Sequence, residues 1–126
     1  MKKEFVSTEK APKAVGPYSQ GVALGNLVFT SGQLPLDPVT GKLVEGDVGE
    51  ATEQVIKNLA AVLEVAGSSL NNVIKVTVLL KDMGDFVAMN TVYAKFFGQN
   101  VPARTTFEVG KLPMDAIVEM EAIAYR

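Results

Sequence analysis

Hydrophobic positions along the chain recur with two periods, and each change of period marks an element boundary. Over residues 48–66, Val48, Ala51, Val55, Leu59, Val62 and Ala66 are spaced by three and four, the interval that lines one face of an α-helix. Asp47 stands before this run as an N-cap and Gly67 after it as a C′ stop. A second helix is predicted from about Gly84 to Gly98, with Phe86, Met89, Tyr93, Phe96 and Phe97 on its apolar side. The Tyr93, Phe96, Phe97 cluster reads as core. Val73–Lys81, rich in β-branched residues, is the clearest strand, and residues 103–109 and 117–125 alternate as strands. Nearer the start, residues 4–6 give a short strand. Val22–Leu24 and Leu27–Ser31 flank Gly25-Asn26, a two-residue turn that predicts a hairpin. Residues 12–21 are irregular, punctuated by Pro12, Gly16, Pro17 and Gly21, and Asp37–Gly41 is a loop by its turn chemistry.

The resulting order, β-β-β-α-β-α-β-β, predicts an α+β fold in which two α-helices cover one face of a single sheet. At 126 residues the chain suits one domain spanning 1–126, with no repeat, linker or low-complexity tract.

Alternation sorts the late strands into two rows. Ala103, Thr105, Phe107 and Val109 form the more apolar row of their strand, beside Ile74, Val76, Val78 and Leu80 and beside Val118, Met120, Ala122 and Ala124. These rows are expected to meet the helices. Arg104, Thr106 and Glu108 are then expected on the other face with Lys75, Thr77, Leu79, Glu119, Glu121, Ile123 and Tyr125. That face is too apolar for water and too polar for a core. It fits a subunit interface, which tolerates Arg and Tyr, or an ordinary solvated sheet face.

Composition removes whole classes of chemistry. With no His and no Cys, a Ser–His–Asp triad, a histidine- or thiolate-ligated metal, a Cys nucleophile and a disulfide are all excluded. Net charge is −2, and ten of the twelve cations are lysines spread along the chain. Without a basic stripe, nucleic acid is not an expected partner. The N-terminal residues meet Glu4, Ser7 and Glu9 before any apolar run forms, so no secretory signal is expected. Lys75 interrupts the best candidate for the roughly 18 apolar residues of a membrane span. A cytoplasmic protein is expected.

Arg104 is one of two arginines, the other being Arg126. A planar guanidinium suits two-point binding of a carboxylate; the alternative is a structural ion pair with Glu119 or Glu121. Those two carboxylates, i and i+2 on one strand face, lie about 7 Å apart, close enough to share acid/base work or to pair with Arg104 or a lysine. Tyr18 and Ser31 sit where a hydroxyl can face a ligand or simply serve the surface. Gly32 through Gly41-Lys42 has the wrong spacing for a phosphate-binding loop, and Leu43 replaces its hydroxyl residue. The residues alone therefore reach a polar site around Arg104 but no reaction.

Six segments carry a resemblance: Gly16-Pro17-Tyr18-Ser19-Gln20-Gly21, Thr30-Ser31-Gly32-Gln33-Leu34-Pro35, Val78-Leu79-Leu80-Lys81-Asp82, Met89-Asn90-Thr91-Val92-Tyr93 with Phe96-Phe97, Pro102-Ala103-Arg104-Thr105-Thr106, and Glu119-Met120-Glu121-Ala122-Ile123-Ala124. Together, in collinear order, they resemble the Rid (reactive intermediate deaminase) family, in its RidA or YjgF-type branch. The resemblance implies a chorismate-mutase-like fold whose subunits pack through the uncovered sheet face into a homotrimer, with a site in each inter-subunit cleft. It implies hydrolysis of 2-iminopropanoate, its enamine 2-aminoacrylate, and 2-iminobutanoate to 2-keto acids and ammonia, without cofactor or metal. Position by position, Arg104 matches the family's carboxylate-binding arginine and Glu119 its water-positioning glutamate. Tyr18 and Ser31 match pocket residues, Gly32 and Thr106 supply pocket backbone, and Asn90 matches an asparagine near the cleft. Many close relatives carry Cys where this chain has Thr106, and the segment before Pro102 is short, so the cleft rim can differ. A non-catalytic binder or regulator responding to 2-keto acids is the alternative, since fold does not fix function. A ribonuclease or translation inhibitor, also known in the family, sits poorly with the acidic balance.

Overall fold

The three-to-four spacing of its apolar residues puts Val48, Ala51, Val55, Leu59 and Val62 on the buried side of helix α1 (Val48–Val65), in a computed structural model that describes residues 1–126. Asp47 caps the helix, its Oδ1 accepting from Gly49 N (2.8 Å) and Glu50 N (3.3 Å), while Glu50 Oε2 accepts from Asp47 N (2.8 Å). This reciprocal capping box satisfies backbone donors that would otherwise be unpaired at the helix start. Ahead of it lie strands β1 (Glu4–Val6), β2 (Gly21–Leu24) and β3 (Leu27–Thr30). Gly25 takes φ of 59° in the turn that folds β2 onto β3, the left-handed conformation a two-residue hairpin turn demands. After α1 come β4 (Val73–Leu80), α2 (Phe86–Phe97), β5 (Ala103–Glu108) and β6 (Val118–Tyr125), in the predicted order.

The strands form one mixed six-stranded sheet in the order β1-β2-β3-β6-β4-β5. All pairings are antiparallel except β4 with β5. Parallel neighbours need a crossover connection, and α2 is that crossover. Both helices cover one face. Val28, Val76, Val78, Leu80, Val118, Met120 and Ala124 from the sheet meet Val55, Ile56, Leu59, Val62 and Leu63 of α1 and Met89, Tyr93 and Phe97 of α2. No helix is long and apolar enough to cross a membrane.

One expected row is altered at the start of β4. Ile74, expected beneath the helices, is 45% exposed, and Val73 is buried instead. The register of β4 against β6 shifts between Val73 and Lys75, and such a bulge resets the alternation. From Lys75 onward the expected parity holds.

Two buried side chains, Asn58 and Gln20, and one backbone bridge hold the loops near the middle of the sheet. Asn58 of α1 donates from Nδ2 to Leu34 O (3.0 Å) and Leu36 O (2.9 Å) and accepts from Gln54. Gln33 exchanges two backbone hydrogen bonds with Met120 of β6, at 2.7 and 3.2 Å. Gln20 accepts from Thr8 N and donates to the carbonyls of Thr8, Ala11 and Pro12, fastening the irregular stretch before β2. Buried amides satisfied this fully fix a single arrangement of the segments they join.

Leu59, fully buried between α1 and the sheet, reports on this packing. Leu59→Ala removes core contacts and leaves a cavity, and is expected to cost about 2–5 kcal/mol of unfolding free energy in urea denaturation. A loss under about 0.5 kcal/mol, the range of surface changes, would contradict the packing described.

Candidate functional site

The register between β4 and β5 decides where Arg104 points. Val76 pairs with Arg104, Val78 with Thr106 and Leu80 with Glu108, and residues paired across a ladder share a face. Val76, Val78 and Leu80 are fully buried beneath the helices, so Arg104 and Thr106 belong to the helix side. Ala103, Thr105 and Phe107 join Lys75, Thr77 and Leu79 on the uncovered face. This inverts the expected rows of β5 and separates Arg104 from Glu119 and Glu121, which pair with Leu79 and Thr77 on the uncovered face. The physical reason is that β5 is an edge strand. The helix layer thins out over it, neither of its rows is sealed, and its more apolar row is not forced inward.

On the helix side, α2 builds a seat for Arg104. Phe86, Asn90 and Tyr93 are spaced by four and three and so share one helix face. Arg104 Nη1 donates to Asn90 Oδ1 at 2.7 Å. Its Cζ lies 4.7 Å from the centroid of the Tyr93 ring and 5.6 Å from that of Phe86, within cation–π range of both. Burial raises the Tyr93 phenol pKa, and the positive charge of Arg104 pulls the other way. The ion pairs of the molecule are Lys57–Glu53, Lys81–Asp115 and Arg126–Glu4; Arg104 is in none of them. Within one chain, Arg104 therefore forms no ion pair with Glu119 or Glu121. A partly buried guanidinium with one N–H on Asn90 and no acid paired with it in the chain has the donors to hold an anion. The Thr106 hydroxyl is out of reach of water and has no partner, so a ligand contact from Thr106 has to come through its backbone.

On the uncovered face, Glu119 lies beside the Ser31-Gly32 turn. The Gln33–Met120 hydrogen bonds bring that backbone alongside β6. A Cβ at Gly32 would overlap the Glu119 carboxyl group, coming within 2.9 Å of its carbon, so a larger residue there would push that carboxyl group from its place. Desolvation raises the Glu119 pKa above the ordinary carboxylate value, and the charge of Glu121 adds to the effect. Ser31 donates from its hydroxyl to Ser19 O (2.5 Å) and from its N–H to Gln20 O (2.9 Å). Its side chain thus latches two loops together and keeps only acceptor capacity for a ligand. Tyr18, about half exposed, lies next to that latch, its hydroxyl accepting weakly from Val15 N at 3.4 Å.

The candidate residues therefore fall into two groups. Ser31, Gly32 and Glu119 meet on the uncovered face, whereas Arg104, Asn90 and Thr106 meet on the helix side at the edge strand; Tyr18 adjoins the Ser19 latch and folds back over Val15 and Gly16. Two further residues at Arg104, Tyr93 and Phe86, are read from sequence only as helix-core positions. Their spacing on α2 is visible in the sequence, but their proximity to Arg104 is not, since it depends on how α2 crosses the end of β5.

A carboxylate whose pKa is raised on folding holds its proton more tightly in the folded state, so its contribution to stability is present at low pH and lost as pH rises. Glu119→Gln removes that titration. The variant is expected to melt a few °C above the parent at pH 7, with the difference closing below about pH 4 where both side chains are neutral. Melting curves that coincide at both pH values would show that Glu119 is not desolvated.

Residues 8–126 match the family described as endoribonuclease L-PSP. A RutC family protein of Pyrococcus abyssi is 56% identical over 126 residues, covering 100% of this chain and 99% of its own length. The 2-iminobutanoate/2-iminopropanoate deaminase of Mus musculus is 48% identical over 122 residues, covering 97% of this chain and 90% of its own. The crystal structure of the E. coli YjgF gene product superposes with a TM-score of 0.92 at 44% identity, covering 98% of both chains. The α+β fold is thus the chorismate-mutase-like one of its structural neighbours. The chain belongs to the YjgF/RutC/Rid family.

Proposed function

We propose that this protein is an imine deaminase, converting 2-imino acids such as 2-iminopropanoate and 2-iminobutanoate to 2-keto acids and ammonia. The observation that carries the reading is Arg104, a partly buried guanidinium held by Asn90 and two rings, with no carboxylate of its own. An α-carboxylate is the anion whose planar geometry fits that fork. The name of the mouse relative points to the same substrate class.

The reaction adds water across a C=N bond. Water oxygen bonds to the imine carbon, the nitrogen takes up protons, and the C–N bond breaks to leave a C=O group and ammonia. No redox partner or covalent nucleophile is required. Arg104 fixes the carboxylate and hence the position of the adjacent carbon, which turns much of the barrier into positioning. Glu119, with its raised pKa, takes a proton from the attacking water and returns one toward nitrogen, a cycle favoured when the carboxyl pKa approaches the working pH. The Gly32 backbone lines the same side as Glu119, and Asn90 and the Thr106 backbone line that of Arg104.

One substrate can touch both groups only if Arg104 and Glu119 come from different copies, because in one chain they lie on opposite faces of the sheet. The uncovered face carries half-exposed Leu27, Phe29, Phe107 and Tyr125 and a largely exposed Phe5, apolar surface suited to an interface. A contact between the β5 edge of one copy and the Glu119 face of the next uses two different patches. Such heterologous contacts form a ring when the rotation between copies closes, and the homotrimer implied by the family resemblance is such a ring.

Added to a threonine dehydratase reaction, the protein is expected to speed 2-ketobutanoate release. Arg104→Lys, which keeps the charge and loses the fork, is expected to lower that rate about 100-fold, on the scale of one preorganised hydrogen-bonding group. Wild-type rates from Arg104→Lys would remove Arg104 from the mechanism. Absence of stimulation by the wild type, with tight binding of 2-ketobutanoate in calorimetry, would favour the binder instead. Light scattering at micromolar concentration is expected to give three times the chain mass, and a monomer would contradict the shared site.

A further inference from the structure

Arg104 stands at the end of a flexible side chain on an edge strand, where side-chain entropy works against any fixed pose. Asn90 supplies one hydrogen bond, which fixes one nitrogen and leaves the guanidinium plane free to turn about it. What remains to set the plane is the aromatic pair on α2. Tyr93 is 5% exposed and pinned in turn by Phe97, ring centroids 4.6 Å apart. Its ring is the nearer of the two under Arg104, and its hydroxyl is buried without a hydrogen-bond partner. A ring anchored in the core and stacked on a cation is a rigid platform, in contrast to Asn90, which is only partly buried.

We propose that Tyr93, with Phe86 at the other ring contact, is a positioning residue that sets the plane of the Arg104 guanidinium through its ring face, so that the fork is presented to the substrate carboxylate before binding. The inference rests on the reading of Arg104 as the carboxylate anchor and extends it to residues that never touch the substrate. It also explains why an aromatic pair occupies this face of α2. Leu or Met would fill the same core volume but attract no cation. The Tyr93 hydroxyl lies close enough to Arg104 to feel its charge but makes no well-formed hydrogen bond, so the effect is assigned to the ring face, and Tyr93→Phe separates the two.

With two arginines in the chain, 15N-arginine labelling gives two Nε–H signals, and loss of one in Arg104→Lys identifies that of Arg104. In the wild type this signal is expected to carry a ring-current shift from Tyr93. Tyr93→Phe should keep the shift and hold KM for the imine within about threefold of wild type. Tyr93→Leu should lose it and raise KM about tenfold with kcat changed less than threefold, a factor on the scale of one cation–π contact. A purely structural role would lower the melting temperature and the active fraction while leaving KM alone. Equal KM for wild type and Tyr93→Leu, or equal losses in Tyr93→Phe and Tyr93→Leu, would overturn the proposal. Should Tyr93→Leu fail to fold, Phe86→Leu carries the test: a raised KM supports the aromatic seat and an unchanged KM overturns it. Failure of the deaminase reading shows separately, as absence of turnover in the wild type, while the Arg104 signal still reports the pose.

Discussion

A slip of one residue in the pairing of β4 with β5 would carry Arg104 through the sheet to the opposite face. The parallel ladder that sets Val76 against Arg104 and Val78 against Thr106 is anchored by β4, whose alternate residues are fully buried under both helices. It is this burial, and nothing in β5 itself, that specifies the register. β5 contributes no fully buried side chain, so it is oriented by its neighbour. Everything at the Arg104 end follows: the approach to Asn90, the two rings, and the distance from any acid.

The Glu119 end depends on a different device. There a glycine without a Cβ, a two-bond bridge from Gln33 to Met120, and a hydroxyl latch from Ser31 to Ser19 crowd backbone against a carboxylate. Crowding strips water from Glu119, and the like charge of Glu121 adds to the penalty. A desolvated carboxylate is a cost to folding that is commonly tolerated where chemistry needs it. Buried amides at Asn58 and Gln20 hold the neighbouring segments in place, so the desolvated group sits on a stiff support.

Under the proposed reading the two ends belong to one reaction, and the sheet between them becomes the reason for assembly. A single chain separates its anion site from its proton-transfer site by the thickness of the sheet. Copies joined through unlike patches bring one of each together. Catalysis and association then share a cause, and the apolar residues of the uncovered face serve the site by holding the neighbouring copy against it.

Much of the architecture can be read from residue order alone. The spacing of Val48 to Val62, the Asp47 cap, the Gly25-Asn26 turn and the alternation of β6 each express a local rule that neighbours in sequence satisfy, and the structure contains each of them. The motif resemblance likewise assigns Arg104, Glu119, Gly32 and Asn90 to one site. What residue order could not decide is which row of β5 turns toward the helices. Periodicity states which residues share a face, and only apolar content says which face is inward. At an edge strand where Phe107 and Arg104 each lie partly in solvent, that second signal fails. The bulge at Ile74 and the stacking of Tyr93 under Arg104 escape for the same reason. They arise from how a strand and a helix distant in sequence come to lie side by side, and only the tertiary structure settled that the anchor and the acid of the candidate site lie on opposite faces of the sheet.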